Sequence, residues 1–224
     1  SVMKRHAEKT IKERLNLDDP VLVQYGRFIK GIVAGNDYSY GPQDAPCPAP
    51  CLGYSFRNHQ PVTHLIADRF PVTLSLAIGA SIIWLVTGVA VGVLSALKRG
   101  TVWDRLSMGV ALAGVSLPIY FTGLVSLALF AYTWKLWPEG VGYVSITDNP
   151  IDWAYNMVLP WVTLAFLYAA LYARLTRASM LDTLNEDYIR TARAKGLSER
   201  KVIVRHAMRA SLTPVVTIFG LDIG

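Results

Sequence analysis

Charged residues in this chain lie in short stretches that are separated by long uncharged runs. Runs of 28, 29 and 21 residues without a charge occupy positions 70–97, 106–134 and 153–173. About 20 helical residues, rising roughly 1.5 Å each, cross a hydrocarbon layer of about 30 Å. Each run is therefore long enough to cross a bilayer as a helix. The pattern predicts an all-α fold, a polytopic membrane helix bundle.

A transmembrane domain with several spans over residues 70–224 follows from this pattern. The spans are predicted at about 70–97, 106–134, 157–178 and from 211 to 224 onward. Pro118 is expected to kink the second span, because its ring displaces a backbone hydrogen bond. We also expect that the intact protein has membrane helices before residue 1 and after residue 224.

The net charge of +6 is distributed unevenly along the chain. Only 17% of the residues are charged, against about 25% in an average soluble domain, which excludes a single soluble globule. The connectors 98–105 and 174–209 carry net charges of +2 and +5, whereas 135–152 carries −2. Because short cytoplasmic loops retain Lys and Arg, we assign 98–105 and 174–209 to the cytoplasm and 1–69 and 135–152 to the outside. The basic excess thus reflects membrane topology, and no nucleic-acid partner is expected.

The segment 1–69 is predicted to be an extracytoplasmic region. It contains a predicted amphipathic helix at about 18–35, followed by a loop over 36–60 that is rich in Gly, Pro, Asn and Asp. Cys47 and Cys51 lie in this loop, and an oxidising compartment favours a disulfide between them. A pair of free thiols is the alternative, and no metal site is expected because the nearby histidines lack a known ligand spacing.

The predicted spans contain glycines but, we expect, no charged side chain in their interiors. Gly79, Gly88 and Gly92 lie along the first span and indicate close helix packing, which small residues permit in lipid. A carrier driven by protons or sodium usually needs buried ionisable groups at mid-membrane. The chain also lacks the glycine-rich phosphate-binding loop of an ATPase. We therefore expect no catalytic residue here, and the energy for active transport would come from another subunit.

A basic helix-turn-helix is predicted over residues 183–209. Thr183 and Glu186 have the spacing of a capping box, Gly196 can take the left-handed conformation that ends a helix, and Ser198 can cap a second helix. Such a hairpin could be a DNA reader or an ordinary connector with a solvated charged face. Its placement between two membrane helices excludes DNA reading.

The stretch DYIRTARAKGLSERKVIVRHAMRASLTPVV, which begins at Asp187, resembles the signature of the membrane subunits of binding-protein-dependent ABC importers, in the branch that carries oligopeptides and dipeptides. Within the family's general motif, E-A-A followed by three residues and a glycine, Ala192 and Gly196 match. The resemblance extends to LDDPVLVQYGRFIKGIVAGN, RFPVTLSLAIGA, LKRGTVWDRL, SLPIYFTGL and LPWVTLAFLYAALYARLTRASMLD. It implies the fold of a type I ABC importer permease, in which the region around Cys47 is an insertion.

The resemblance also implies that the hairpin is a coupling helix that binds an ATPase subunit. Gly196 would fix the turn angle, Tyr188 and Leu197 would anchor the helix, and its small side chains would let it sit close in a groove. The residues expected to make ATPase-coupling contacts are Asp187, Tyr188, Arg190, Thr191, Ala192, Arg193, Ala194, Lys195, Gly196 and Leu197.

Residues around the proline in the second span are the candidates for lining the transport pathway. These candidates are Ser116, Pro118 and Tyr120, and packing that supports a kink is the alternative interpretation.

The partners follow from the resemblance as well. It implies a second homologous permease subunit, two ATPase domains and an extracytoplasmic substrate-binding protein, in the bacterial plasma (inner) membrane. No cofactor is implied on this chain, and ATP and Mg would bind the partner subunits. Peptides are the expected cargo, with nickel, glutathione, haem or oligosaccharide as alternatives. A stand-alone carrier or channel and a membrane scaffold without cargo are the rival functions.

Overall fold

The computed structural model describes residues 18–38, 45–137 and 142–223, most of which are helical. The chain divides into two compact units, residues 1–73 and 74–224.

The described part of the first unit contains one complete helix, two short β-ladders and the beginning of a second helix. Helix α1, Val21–Ala34, follows Pro20 and ends before Gly35, close to the helix predicted at 18–35. The strands contain two residues each and pair antiparallel, so the segment predicted as loop is partly ordered by ladders. They are β1 (Asn36–Asp37) with β2 (Pro46–Cys47), and β3 (Tyr54–Ser55) with β4 (Gln60–Pro61).

A disulfide joins Cys47 to Cys51, with the two Cα atoms 5.5 Å apart. Both cysteines are buried. The bridge closes the segment that follows β2, next to the C-terminal end of α1, where the Cys51 N–H donates to the carbonyl of Gly31 at 3.3 Å.

Helix α2 extends from Val62 to Leu97 and is the longest helix described. It begins about two turns before the predicted start at residue 70, so Pro71 lies inside the helix instead of near its beginning. At roughly 1.5 Å per residue, 36 residues measure about 54 Å, which exceeds the hydrocarbon thickness. The helix therefore extends well beyond a single bilayer crossing.

The second predicted span is broken at Pro118. Helix α3 occupies Val102–Ser116, α4 occupies Ile119–Ser126, and a π-helical segment, π1, continues over Leu127–Thr133. The two halves meet at an angle of 104°, a sharper change of direction than the predicted kink. The residue before a proline is restricted to extended backbone, and Leu117 accordingly has φ −91° and ψ 131°.

Helix α5, Pro150–Leu184, is longer at both ends than the span predicted at 157–178. Asn149 caps it: its side-chain oxygen accepts from the N–H groups of Ile151 and Asp152 at 3.1 and 3.3 Å. Pro150 occupies the first position, where its missing N–H costs no hydrogen bond.

After α5 the chain forms a series of short helices. They are α6 (Asp187–Ala194), α7 (Glu199–Lys201), a second π-helical segment π2 (Val202–Ala207), α8 (Met208–Ser211) and α9 (Thr213–Ile223). The predicted capping box is wrong, because Thr183 lies inside α5 and Glu186 makes no side-chain cap. Ser198 occupies the N-cap position of α7, but its side chain makes no capping hydrogen bond either.

Among all the helices described, α2 and α5 are long and apolar enough to cross a membrane. Up to four spans result if each of two bent helix pairs counts as one span: α3 with α4, and α7–α8 with α9. The second pair bends by 42° near Pro214, which lies in the first turn of α9 as predicted. The four predicted spans correspond to the upper limit of this range, and their number stays a prediction.

Helices α2 and α5 approach each other closely at two glycines. A Cβ added at Gly88 would lie 2.7 Å from Cβ of Tyr172, and one at Gly92 would lie 2.6 Å from Cβ of Thr176. A Cβ at Gly79 would overlap the indole of Trp161. The prediction of close packing at these glycines is confirmed.

The prediction of uncharged span interiors is wrong for the fourth span. Asp222 lies in the otherwise apolar helix α9, and its Oδ2 accepts from the hydroxyl of Tyr172 at 2.6 Å. The apolar run that precedes Asp222 predicts a span by itself, and one carboxylate near the end of this run does not change that prediction.

Candidate functional site

The candidate site is the hairpin, defined here as the segment from α6 through π2, residues 187–207. Helix α6 contains eight residues, and a four-residue turn connects it to α7 and π2. The second arm was predicted as a regular helix to about residue 209, but six of its residues are π-helical.

The turn of the hairpin requires glycine at its centre. Gly196 has φ +76°, in the left-handed region that other residues rarely adopt. The Gly196 N–H donates to the carbonyl of Arg193 at 2.9 Å, and the Leu197 N–H donates to the carbonyl of Ala192 at 3.4 Å. These two bonds form the Schellman motif that ends many helices. The left-handed glycine predicted from the sequence is confirmed.

An ion pair connects the two arms across this turn. Arg193 donates from Nη2 to Glu199 Oε1 at 2.7 Å and from Nε to Oε2 at 3.1 Å. The guanidinium lowers the pKa of the Glu199 carboxyl, and the carboxylate raises the pKa of Arg193. Because about half of each side chain is exposed, the pair contributes more to the orientation of the arms than to stability.

One face of the hairpin is buried against its own chain. Ile189 is fully buried and Ala192 is 8% exposed. The cluster that contains them, called the hairpin core below, consists of Val93, Ala96, Met180, Ile189, Ala192, Val202 and Ala207. Val93 and Ala96 belong to the end of α2, and Met180 belongs to α5. The hairpin is therefore packed directly on two long helices.

Two of the ten predicted coupling residues lie on this inner side. Ala192 is part of the hairpin core, and Leu197 packs against it. Both residues thus contact other parts of this chain, and their contact with a partner stays a prediction. Ile189, which anchors α6, was not among the predicted residues. The signal was the apolar pair Ile189 and Ala192, three residues apart and hence on one face of an otherwise charged helix.

The other eight predicted residues are exposed and form the outer face of the hairpin. They are Asp187, Tyr188, Arg190, Thr191, Arg193, Ala194, Lys195 and Gly196. Three cations and one carboxylate give this face a positive charge. Arg190 contacts Asp187 at 3.3 Å, and the Thr191 hydroxyl donates to the Asp187 carbonyl at 2.9 Å. The Tyr188 ring is 45% exposed.

The three predicted pathway residues lie together at the break between α3 and α4. The Ser116 hydroxyl donates to the carbonyl of Leu112 in its own helix at 2.8 Å. Pro118 precedes α4, and its carbonyl accepts from the Thr122 N–H at 3.1 Å. Tyr120 is 72% exposed. A role for these residues in the pathway stays a prediction.

Comparison with known proteins supports the sequence resemblance. Residues 88–224 match the model of the family described as binding-protein-dependent transport system inner membrane component. Residues 3–77 match the model for the N-terminal part of such membrane components.

Two curated relatives carry the names of peptide permeases. The dipeptide transport system permease protein DppB of Escherichia coli (strain K12) is 36% identical over 242 aligned positions, which cover 98% of this chain. The di/tripeptide transport system permease protein DppB of Pseudomonas aeruginosa (strain UCBPP-PA14) is 35% identical over 238 positions, again 98% of this chain. The chain spans 66% of the length of each relative.

The family model covers more than half of the chain, and it includes the whole hairpin, both long helices from residue 88 onward and the broken helix pair. With two to four segments that can span a membrane among the described residues, the protein is a multi-pass protein of the bacterial inner membrane. The chain belongs to the family of inner membrane components of binding-protein-dependent transport systems.

Proposed function

We propose that this chain is a permease subunit that forms part of the translocation pathway of an ATP-driven peptide importer. The observation that carries the proposal is the construction of the hairpin. Its inner face is buried on α2 and α5, while its outer face is exposed and positively charged. A segment built in this way can bind a partner outside the membrane and transfer the partner's movement to membrane helices.

The ATPase subunits are the proposed partners of the outer face. Arg190, Arg193 and Lys195 offer guanidinium and ammonium groups to acidic side chains or backbone carbonyls. Thr191 and Ala194 are small, so a groove could approach the backbone of α6 closely. ATP binding and hydrolysis, with Mg, take place on those subunits, and closure of the ATPase pair moves the hairpin as a rigid body.

The hairpin core explains how a movement of the hairpin would reach the membrane helices. Ile189 and Ala192 from α6 and Val202 from π2 pack against Met180 of α5. Closely packed interiors transmit displacement, because they have little free volume to absorb it. The two long helices would therefore follow the hairpin, and the pathway would alternate between outward and inward states.

The proposed topology places the hairpin in the cytoplasm and residues 1–69 outside. The alternation of charge supports this orientation, since the segment 174–209 carries +5. The disulfide between Cys47 and Cys51 fits an oxidising extracytoplasmic compartment. An external binding protein would deliver cargo on that side, and a second homologous permease subunit would complete the pathway.

The proposed cargo is a dipeptide or short oligopeptide, as the names of the two relatives suggest. Nickel, glutathione, haem and oligosaccharide are the alternative cargoes for an importer of this class. Competition among these solutes for binding to the partner binding protein would distinguish them, because cargo first meets the transporter there.

Reconstitution into liposomes tests the proposed function. The intact protein is assembled with its partner permease, ATPase subunits and binding protein, and uptake of a labelled dipeptide is measured with and without ATP. ATP-dependent uptake by the full assembly is expected. Uptake without ATPase subunits would instead support a stand-alone carrier, for which Asp222 in α9 would be the candidate ion-binding group.

A further inference from the structure

A buried ion pair joins the beginning of α3 to α5. Arg177 donates from Nε and Nη2 to the two carboxylate oxygens of Asp104, at 2.7 and 2.8 Å. Asp104 is 4% exposed, and the side chain of Arg177 is 24% exposed. Two parallel bonds of this kind fix the orientation of the two groups as well as their distance.

The same carboxylate holds two further parts of the chain. The Ser95 hydroxyl, near the end of α2, donates to Oδ1 of Asp104. The Gly100 N–H, in the loop between α2 and α3, donates to Oδ2 at 2.9 Å. Asp104 also lies in the first turn of α3, where Thr101 is the N-cap. One buried carboxylate thus connects α2, the loop, α3 and α5, and we name Asp104, Arg177 and Ser95 the clamp.

The clamp lies next to the hairpin core. Ser95 directly precedes Ala96 on α2, and Arg177 lies three residues before Met180 on α5. Ala96 and Met180 both belong to the hairpin core. On each of the helices α2 and α5, the residue that holds Asp104 therefore lies within about one helical turn of a residue that contacts the hairpin.

A second contact between α3 and α5, near the end of α3, is different in kind. A Cβ added at Gly114 would lie 3.3 Å from Cβ of Ala170 and 3.3 Å from Cε1 of Phe166. Contacts between small apolar groups bring helices close together, but they have no directional bonds that prevent sliding or rotation. The clamp supplies those bonds at the end of α3 that is nearest to the hairpin.

A buried ion pair is by itself weak evidence for stability, because apolar side chains of similar volume often stabilise a fold equally well. We propose that Asp104 and Arg177 are positioning residues for transport. The clamp transmits a displacement of the hairpin to α3, and α3 transmits it to the 104° break before α4. This inference rests on the proposed import function only for its biological meaning, since the mechanical connection can be measured separately.

A distance measurement tests the connection without any transport. Spin labels are placed at Gly109, where a Cβ meets nothing within 4 Å, and at Lys201, which is exposed and lies in the hairpin outside its proposed ATPase-binding face. The two native cysteines are bridged and do not take a label. In the intact protein with its ATPase subunits, we expect one narrow distance distribution that is unchanged by a nonhydrolysable ATP analogue. Asp104→Asn, which removes the charge at nearly constant shape, is expected to broaden the distribution and make it respond to the nucleotide.

Transport stoichiometry gives the second readout. In proteoliposomes, Asp104→Asn is expected to keep ATP hydrolysis stimulated by the binding protein, while the peptide transported per ATP falls by at least about fivefold. Asp182→Asn is the matched control, because it removes an exposed carboxylate from α5. It is expected to leave both quantities unchanged. If Asp104 had only a structural role, Asp104→Asn would lower the amount of folded protein without changing the peptide transported per ATP.

A conservative variant keeps the test decisive if Asp104→Asn does not fold. Arg177→Lys retains the positive charge but loses the planar fork that binds both oxygens, so a smaller fall in peptide transported per ATP is expected. If a folded variant showed an unchanged distance distribution and an unchanged amount of peptide transported per ATP, the proposed role of the clamp would be wrong. If the wild-type assembly showed no ATP-driven uptake, the import function would be wrong. The distance measurement would still test whether the clamp connects the hairpin to α3.

Discussion

The close approach of α2 and α5 gives a prediction whose size follows from the geometry. A Cβ added at Gly92 would lie 2.6 Å from Cβ of Thr176, 2.7 Å from the carbonyl oxygen of Ala173 and 3.1 Å from the N atom of Arg177. Carbon atoms pack best at about 3.5–4.0 Å, so the added carbon is roughly 1 Å too close. Two of the three neighbours are backbone atoms of α5, which cannot rotate away. The helices must therefore separate.

Gly92→Ala is the smallest change that adds this carbon. Overpacking of a well-packed interior costs about 1–3 kcal/mol, whereas replacing glycine by alanine inside a helix gains about 1 kcal/mol. Gly109→Ala gives the matched control: the same gain in α3, with nothing within 4 Å of the new Cβ. The difference between the two variants then isolates the packing cost, because the helix propensity gain cancels.

Thermal unfolding of the intact protein in detergent measures this difference. At about 2–4 °C per kcal/mol for a chain of this size, Gly92→Ala should melt roughly 2–12 °C below Gly109→Ala. Tryptophan fluorescence is a suitable probe, because Trp84 is buried in α2 and stacks on Tyr168 of α5 with ring centroids 4.6 Å apart. Equal melting temperatures for the two variants would refute the close packing of these helices.

Three further predictions concern other contacts. Alkylation of the native protein without reductant should give no mass shift, and reduction should expose Cys47 and Cys51 to two labels; labelling before reduction would contradict the disulfide. Because the pKa of Glu199 is lowered in the fold, the ion pair across the turn stabilises the hairpin above the ordinary glutamate pKa and is lost as the pH falls through the folded value. Spin labels on α6 and α7 should therefore separate on acidification, whereas in Glu199→Gln their distance should not depend on pH. Tyr172→Phe should lower the melting temperature less in an Asp222→Ala background than in the wild type, since the 2.6 Å hydrogen bond is already absent there.

The sequence was sufficient for features that depend on local chemistry. Uncharged runs predicted the long apolar helices, Pro118 predicted a kink at the position of the break, and Gly196 predicted the turn. The chain cannot cross hydrocarbon with exposed backbone groups, so long apolar runs have few alternatives to helix. Local pattern was also misleading in places. Thr183 and Glu186 have the spacing of a capping box, but α5 continues through Thr183 because its side chain is buried in the packed unit.

Features that depend on distant contacts were outside the reach of sequence pattern. Asp104 and Arg177 are 73 positions apart, and each alone has the pattern of an ordinary charge near the end of an apolar run. Ile189 and Ala192 mark an apolar face on a charged helix, but the complete burial of Ile189 depends on Met180 and on helix α2, which the pattern does not identify. Such pairings follow from the way the helices pack, which one sequence does not specify at the level of individual contacts.

The central claim is that the hairpin couples ATP hydrolysis to transport, and its glycine turn offers the most direct measurement. A Cβ at Gly196 meets nothing within 4 Å, so a substitution there acts through the backbone, which has φ +76°. Valine disfavours this left-handed conformation strongly, whereas asparagine tolerates it. ATP-dependent dipeptide uptake is measured in proteoliposomes that contain equal amounts of inserted protein. Gly196→Val is expected to abolish uptake, and Gly196→Asn is expected to retain it. Uptake at the wild-type rate by Gly196→Val would contradict the coupling role.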